Sequence, residues 1–295
     1  MYWKYIIIGG KNMANATFHE GEFELGVNDV VYLKYIKANF REITFRYIGA
    51  KSVPDTTYYG INGTYFDNGP NLLGIAVDSG NYIRSGGASG YNGEQNRVPA
   101  RECGTFVVFN RTIGNKFGIC GKISAITNNG FTFDGTTYSK SDIRLAVGGT
   151  SLYTGTDYDT MTENEFYSAI WPSEDPGGMS STGADGYAPR TAIIYTGGGI
   201  TGLNTILLTV IGQDRECSPR SGHGCTLWQL RNIIRTYSDF KLPNGDPPTQ
   251  AINLDGGGST QIRYKKSNGQ AGCFYVDNDG SGGKRLVRSM LCVTM

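Results

Sequence analysis

The stretch AINLDGGGST, residues 251–260, sets one carboxylate, Asp255, at the end of a short apolar run and follows it with Gly256, Gly257 and Gly258, then Ser259 and Thr260. This order suits a strand that delivers an acid to the end of a sheet. Glycines let a bulky oxyanion approach the backbone, and successive N–H groups can form an anion-binding nest. Ser259 and Thr260 add hydroxyl donors. A tight turn between strands is the competing account of the same residues. The run is not a P-loop, because no Gly-Lys-Ser/Thr follows it, and it lacks the Gly-x-Gly-x-x-Gly spacing of a dinucleotide fingerprint.

Three further stretches carry residues of the same chemistry. YYGINGTYFD (58–67) brings Asn62 and Gly63, with Tyr65, Phe66 and Asp67 behind them. An Asn-Gly flanked by aromatics is also the signature of a hairpin. In APRTAIIYT (188–196), Arg190 stands at the entrance of an apolar strand, where a guanidinium sits beside a cleft and suits bidentate binding of phosphate or carboxylate. QDRECSPRSGHGCTLWQL (213–230) sets Arg215, Arg220 and Ser221 ahead of a helix whose N-terminus also favours anions. Cys217, His223 and Cys225 invite a zinc reading, but the chain has only two His and no C-x2-C pair. Free thiols, or one disulfide across the 217–225 loop, account for them better. Asp67, Asp255 and Asn62 can offer oxygens to calcium or magnesium, although no ligand spacing calls for a metal. His19 has no context and reads as a surface residue.

These residues need strands to position them. EITFRYIG (42–49), TFVVF (105–109), IRLAV (143–147), TAIIYT (191–196) and TILLTVI (205–211) are short apolar or alternating runs bounded by turn residues. FTFDGTTY (131–138) carries an Asp-Gly turn between β-favouring residues, a hairpin signal. CTLWQLRNIIRTY (225–237) is helical, with Leu227, Leu230, Ile234 and Tyr237 on one stripe and Thr226 as its cap. TENEFYSAI (162–170) is a second helix candidate. SGGASGYNGEQNRVPARE (85–102) and WPSEDPGGMSSTGADGYAPR (171–190) are polar insertions, either binding loops or tolerated surface.

Composition agrees with a strand-heavy chain. There are 43 glycines in 295 residues, about twice the usual ~7%, without a collagen period. Aromatic content of 12% argues for an ordered core. With 27 basic and 26 acidic residues, the charge gives no footprint for duplex nucleic acid. No apolar run approaches the ~20 residues of a membrane helix. The opening MYWKYIIIGGKN is too short for a signal-peptide apolar region and reads as a first strand, leaving a cytoplasmic or virion-associated protein, or a missing leader, all open. The fold expected is α+β, with mixed β-sheets, few helices and a single compact domain.

In this order, INGTYF, RTAI, GCTLWQL and AINLDGGGST resemble the phosphodiester glycosidase family, and the tail GGKRLVRSMLCV (282–293) is similar to its closing strand. The resemblance spans about 58–293, so residues 1–57 are read as N-terminal, family-variable strands and 58–295 as the family-like domain. It implies hydrolysis of a sugar-1-phosphodiester, with a phosphate-containing glycan as partner; a bacterial or phage protein is expected, and calcium or magnesium stays open as a cofactor. Asp255 then acts on sugar or water. Arg190 and the Gly256–Gly258 backbone stabilise the departing phosphate, whose second pKa of about 6 makes it a good leaving group. Asn62 positions a sugar or phosphate oxygen, and Gly63, Ser259, Arg215 and Ser221 extend the binding surface. IGQDRECSPRSG (211–222) departs from the family pattern. A carbohydrate- or wall-binding module, or a phage-tail component on the same fold, is the alternative; the presence of both Asp255 and Arg190 favours the enzyme.

Overall fold

The structure, a computed structural model, describes residues 16–26, 29–66, 71–83, 102–113, 116–124, 126–127, 129–170, 174, 186–196, 204–212, 224–248, 250–276 and 283–294. Strands are numbered β1 to β17 in chain order. One sheet runs β1 (Thr17–Gly26), β2 (Asp29–Ala38), β13 (Thr205–Ile211), β12 (Arg190–Tyr195), β14 (Gln250–Asn253), β11 (Ile143–Ser151), β5 (Ala76–Asp78) and β6 (Asn81–Tyr82). β7 (Cys103–Ile113) joins it through β11, and β8 (Lys116–Ile123) through β7. A second sheet runs β16 (Ala271–Tyr275), β15 (Gln261–Lys265), β4 (Tyr59–Asn62), β17 (Val287–Val293) and β3 (Thr44–Lys51).

Among the described residues strand makes up 53% and helix 17%, so the fold is sheet-dominated and not a balanced α+β mixture. The sheets are not mixed either: every described strand pair is antiparallel. Parallel neighbours need long crossovers, usually helical, whereas the only described α-helices are α1 (Glu163–Ile170) and α2 (Leu227–Thr236).

Alternation along each strand sorts side chains between two cores. Ile36, Ile193, Leu207 and Ile252 of the large sheet meet Phe45, Ile61, Ile262 and Leu291 of the small one, all buried. Their neighbours Tyr35, Ala192, Ile194, Ile206 and Leu208 face the other way, against Phe166 of α1 and Leu227, Leu230, Ile233 and Ile234 of α2. The result is small sheet, large sheet, helices. The period of two that moves successive residues to opposite faces makes this layering possible.

Local signals in the sequence are met closely. TILLTVI coincides with β13. Asp134 and Gly135 both take positive φ between β9 (Phe131–Phe133) and β10 (Thr136–Tyr138), the geometry of a two-residue hairpin. α2 begins with a full capping box: Thr226 accepts from the Gln229 N–H and its own N–H donates to the Gln229 side chain. Asn62-Gly63 is not a hairpin, since β4 pairs with β15 and β17. The opening strand expected over 1–12 and the insertion at 85–101 lie outside the described residues.

Candidate functional site

Residues Leu254–Thr260 are the passage from β14, in the middle of the large sheet, to β15 in the small one. The glycine-rich run is therefore a crossover between layers. Asp255 stands at its start, half-buried. Burial pushes its carboxyl up to about 6, against the opposing pull of the Ser259 hydroxyl, the Arg285 charge and the Gly256 N–H. Ser259 is wholly buried, and its hydroxyl completes no well-formed hydrogen bond among the described residues; it faces the carboxylate without capturing it.

Gly256 and Gly257 are glycines for different reasons. A Cβ on Gly256 would meet the Pro189 carbonyl at 3.0 Å and the Arg190 Cα at 3.8 Å, so its absence lets the start of β12 close in. Gly257 sits at φ +56 with open space around it, a left-handed conformation that L side chains resist. The backbone is less available than a row of three donors. Gly257 N–H donates to Pro189 O at 2.8 Å, and Gly256 N–H is turned on Asp255. Gly258 N–H has no acceptor among the described residues.

Asn62 is buried at the end of β4 and works as a brace. Its Nδ2 donates to the Asp255 carbonyl at 2.6 Å, while its Oδ1 accepts from Thr191 Oγ1 at 2.9 Å and from Gln261 N–H at 3.0 Å. One amide thus ties both sheets to the backbone of the acid. Gly63 O accepts from Asp255 N–H at 3.3 Å, and Gly63 N–H donates to Ser289 O at 2.8 Å. A side chain at Gly63 would meet Ser289 Oγ at 2.5 Å. Beneath them Asn253 Nδ2 donates to the Tyr65 hydroxyl at 2.6 Å, and that hydroxyl lies 3.1 Å from Thr150 Oγ1. Burial raises the Tyr65 phenol well above its usual range; the Asp255 charge adds to this and Arg190 opposes it. Tyr65 therefore lies within electrostatic reach of both groups.

Arg190 opens β12 as expected but is 4% exposed, not lining an open cleft. Its Nε donates to Cys225 O at 2.8 Å and its Nη2 to Gly186 O at 2.6 Å. Both acceptors are backbone carbonyls, and the two bonds fix the orientation of the guanidinium. Cys225, just before α2, exchanges backbone bonds with Ala188 and so holds the helix N-terminus against this strand. Its thiol is buried, and burial pushes it up to about 12. Arg215, Cys217, Arg220, Ser221 and His223 lie outside the described residues, as does Asp67. Of the oxygens offered for a hard cation, Asn62 Oδ1 is spent on two donors and must be withdrawn. No group of three or more His, Cys, Asp or Glu is placed to hold a metal among the described residues.

One neighbour escaped the sequence reading. Arg285, exposed just ahead of β17, places its guanidinium carbon 5.5 Å from the Phe66 ring centroid. It lies in the tail GGKRLVRSMLCV, but an exposed Arg in a polar stretch has no mark of its own. A cavity of about 820 Å³, lined by Phe18, Glu20, Tyr264 and Lys265 among others, contains neither Asp255 nor its partners. No described helix is long and apolar enough to cross a membrane.

No curated protein matches the chain. Among solved structures, a crystal structure from Burkholderia pseudomallei K96243 aligns with 11% identity and a TM-score of 0.46, covering 90% of this chain and 74% of the other. The family model for phosphodiester glycosidase matches residues 55–294, a span that holds Asn62, Arg190, Asp255 and the crossover between the sheets. With most of its length and all of these residues inside that match, the chain belongs to the phosphodiester glycosidase family.

Proposed function

We propose that the protein hydrolyses a sugar-1-phosphodiester between the anomeric carbon and the phosphate oxygen, releasing the sugar and a phosphomonoester. The observation that carries this reading is Asp255, a half-buried carboxyl raised to about 6 at the junction of the sheets in a phosphodiester glycosidase. A carboxyl that titrates near neutrality is matched to taking a proton from water in the transition state. The water oxygen bonds to the anomeric carbon, its proton goes to Asp255, and the carbon–oxygen bond to phosphate breaks with its electrons on the phosphate. That phosphate has a second pKa of about 6 and departs without a general acid. One central carboxyl is then sufficient, where ordinary glycoside hydrolysis employs two.

Arg190 supplies a fixed positive charge from behind the glycine crossover, strengthened by its low-dielectric setting. The free Gly258 N–H is a donor for a substrate oxygen, and Ser259 tunes the acid. Asn62 and Gly63 position the Asp255 backbone. Arg215 and Ser221 are retained as proposed phosphate contacts.

The test is turnover of a panel of sugar-1-phosphodiesters in ¹⁸O-enriched water. Label in the released sugar is the expected result. Label in the phosphate would mean cleavage at phosphorus, and no release across the panel would remove the proposed reaction.

A further inference from the structure

Two arginines act on the Asp255 neighbourhood, and they are used in opposite ways. Arg190 is buried, with Nε and Nη2 committed to carbonyls at 2.8 and 2.6 Å. An arriving phosphate would have to break those bonds to be gripped by the same nitrogens. Arg285 is exposed and closes no salt bridge among the described residues. It is nevertheless held in place. Its carbonyl accepts from Gln261 Nε2 at 2.7 Å, and Gln261 N–H in turn donates to Asn62, the brace of Asp255. The Phe66 ring lies under the guanidinium. A ring contact of this kind orders a cation while leaving its N–H fork unspent. The charge of Arg285 is felt at Asp255, yet no ion pair closes between the two.

We propose that Arg285, held over Phe66, is the residue that grips the phosphoryl group of the substrate, with Asp255 on the far side of the anomeric carbon. Its role in turnover rests on the proposed hydrolysis; its affinity for phosphate does not. Displacement at carbon requires the leaving group and the acid to stand on opposite faces, the arrangement this assignment gives to Arg285 and Asp255. It also gives the site a reason to prefer a phosphodiester over a glycoside with a neutral leaving group, because the planar fork matches two phosphate oxygens.

Inorganic phosphate is the probe, titrated calorimetrically at pH 7 into the wild type, Arg285→Gln and Arg285→Lys, with melting temperature as the control. The dissociation constant should rise about tenfold or more in Arg285→Gln, with Arg285→Lys intermediate because it keeps charge but loses the fork. Melting temperatures should be unchanged, since the side chain is exposed. Equal phosphate affinity in wild type and a folded Arg285→Gln, or no phosphate binding by the wild type, would overturn the assignment. Arg285-dependent phosphate binding in a protein that cleaves no sugar phosphodiester would uphold the subsite and sink only the reaction.

Discussion

An aspartate whose acid form persists to about pH 6 in the native protein works against the fold once it ionises. In the unfolded chain the same group titrates near 3.9, so between about pH 4 and 6 the native state binds more protons. Asp255 therefore lowers stability as pH rises through that window, and the deficit stays above it. Asp255→Asn removes the charge and should flatten this part of the pH–stability profile, leaving the variant at least as stable as wild type at pH 7. Turnover should fall by about 10³-fold, the scale of a lost general base. Denaturation at pH 4, 5, 6 and 7 beside sugar release reads both effects; a variant clearly less stable at pH 7 would mean that Asp255 chiefly caps its turn. Activity must run in the opposite direction to stability. Proton abstraction needs the ionised form, so kcat/KM should rise with pH along a limb centred near 6, and an acid limb near 4 would contradict the raised pKa.

Strand ends meet at Asn62, and its removal tests how elements position the acid. Asn62→Ala would leave the Thr191 hydroxyl and the Gln261 N–H without their acceptor and the Asp255 carbonyl without its donor, all in the interior. Unsatisfied buried groups cost about 1–3 kcal/mol each before relaxation, so a loss of roughly 3 kcal/mol is expected in urea denaturation. At temperatures where the variant is still folded, kcat should fall with it, since the acid's backbone is released. Full activity in the folded variant would mean that the crossover is held well enough by Gly63 and Pro189 alone. The same logic explains Gly60, two residues earlier. At φ +145, a Cβ there would lie 1.8 Å from Leu291 O, so β4 can pair with β17 only through a glycine.

The whole molecule extends beyond the span that carries the family resemblance. β1, β2 and β3 precede residue 55, yet β2 pairs with β13 in the large sheet and β3 with β17 in the small one. Ile36 and Phe45 are fully buried between the sheets. A fragment of residues 55–294 would expose the edge of β13 and uncover that core, two conditions that favour aggregation. It is expected to be insoluble or to melt without cooperativity, measured by size-exclusion chromatography and circular dichroism. A monomeric, cooperatively folding fragment would show that the first strands are an accessory layer.

What the sequence determined by itself is everything that depends on near neighbours. Continuous apolar runs marked β12 and β13, the Asp-Gly pair made the hairpin at Asp134, and the stripe with Thr226 and Gln229 set α2. Asp255 was recognisable because acid, glycines and hydroxyls are contiguous. Decisions made across the chain were not legible. Asn62 is 193 residues from the carbonyl it holds, and nothing in INGTYF says that its amide is spent on structure instead of substrate. Tertiary structure likewise turned Arg190 inward and consumed most of the glycine N–H groups. It also singled out Arg285 from 27 Lys and Arg by bringing its charge to bear on Asp255 with no salt bridge among the described residues. A side chain's chemistry is written in its type; whether that chemistry is still free depends on partners brought close by folding.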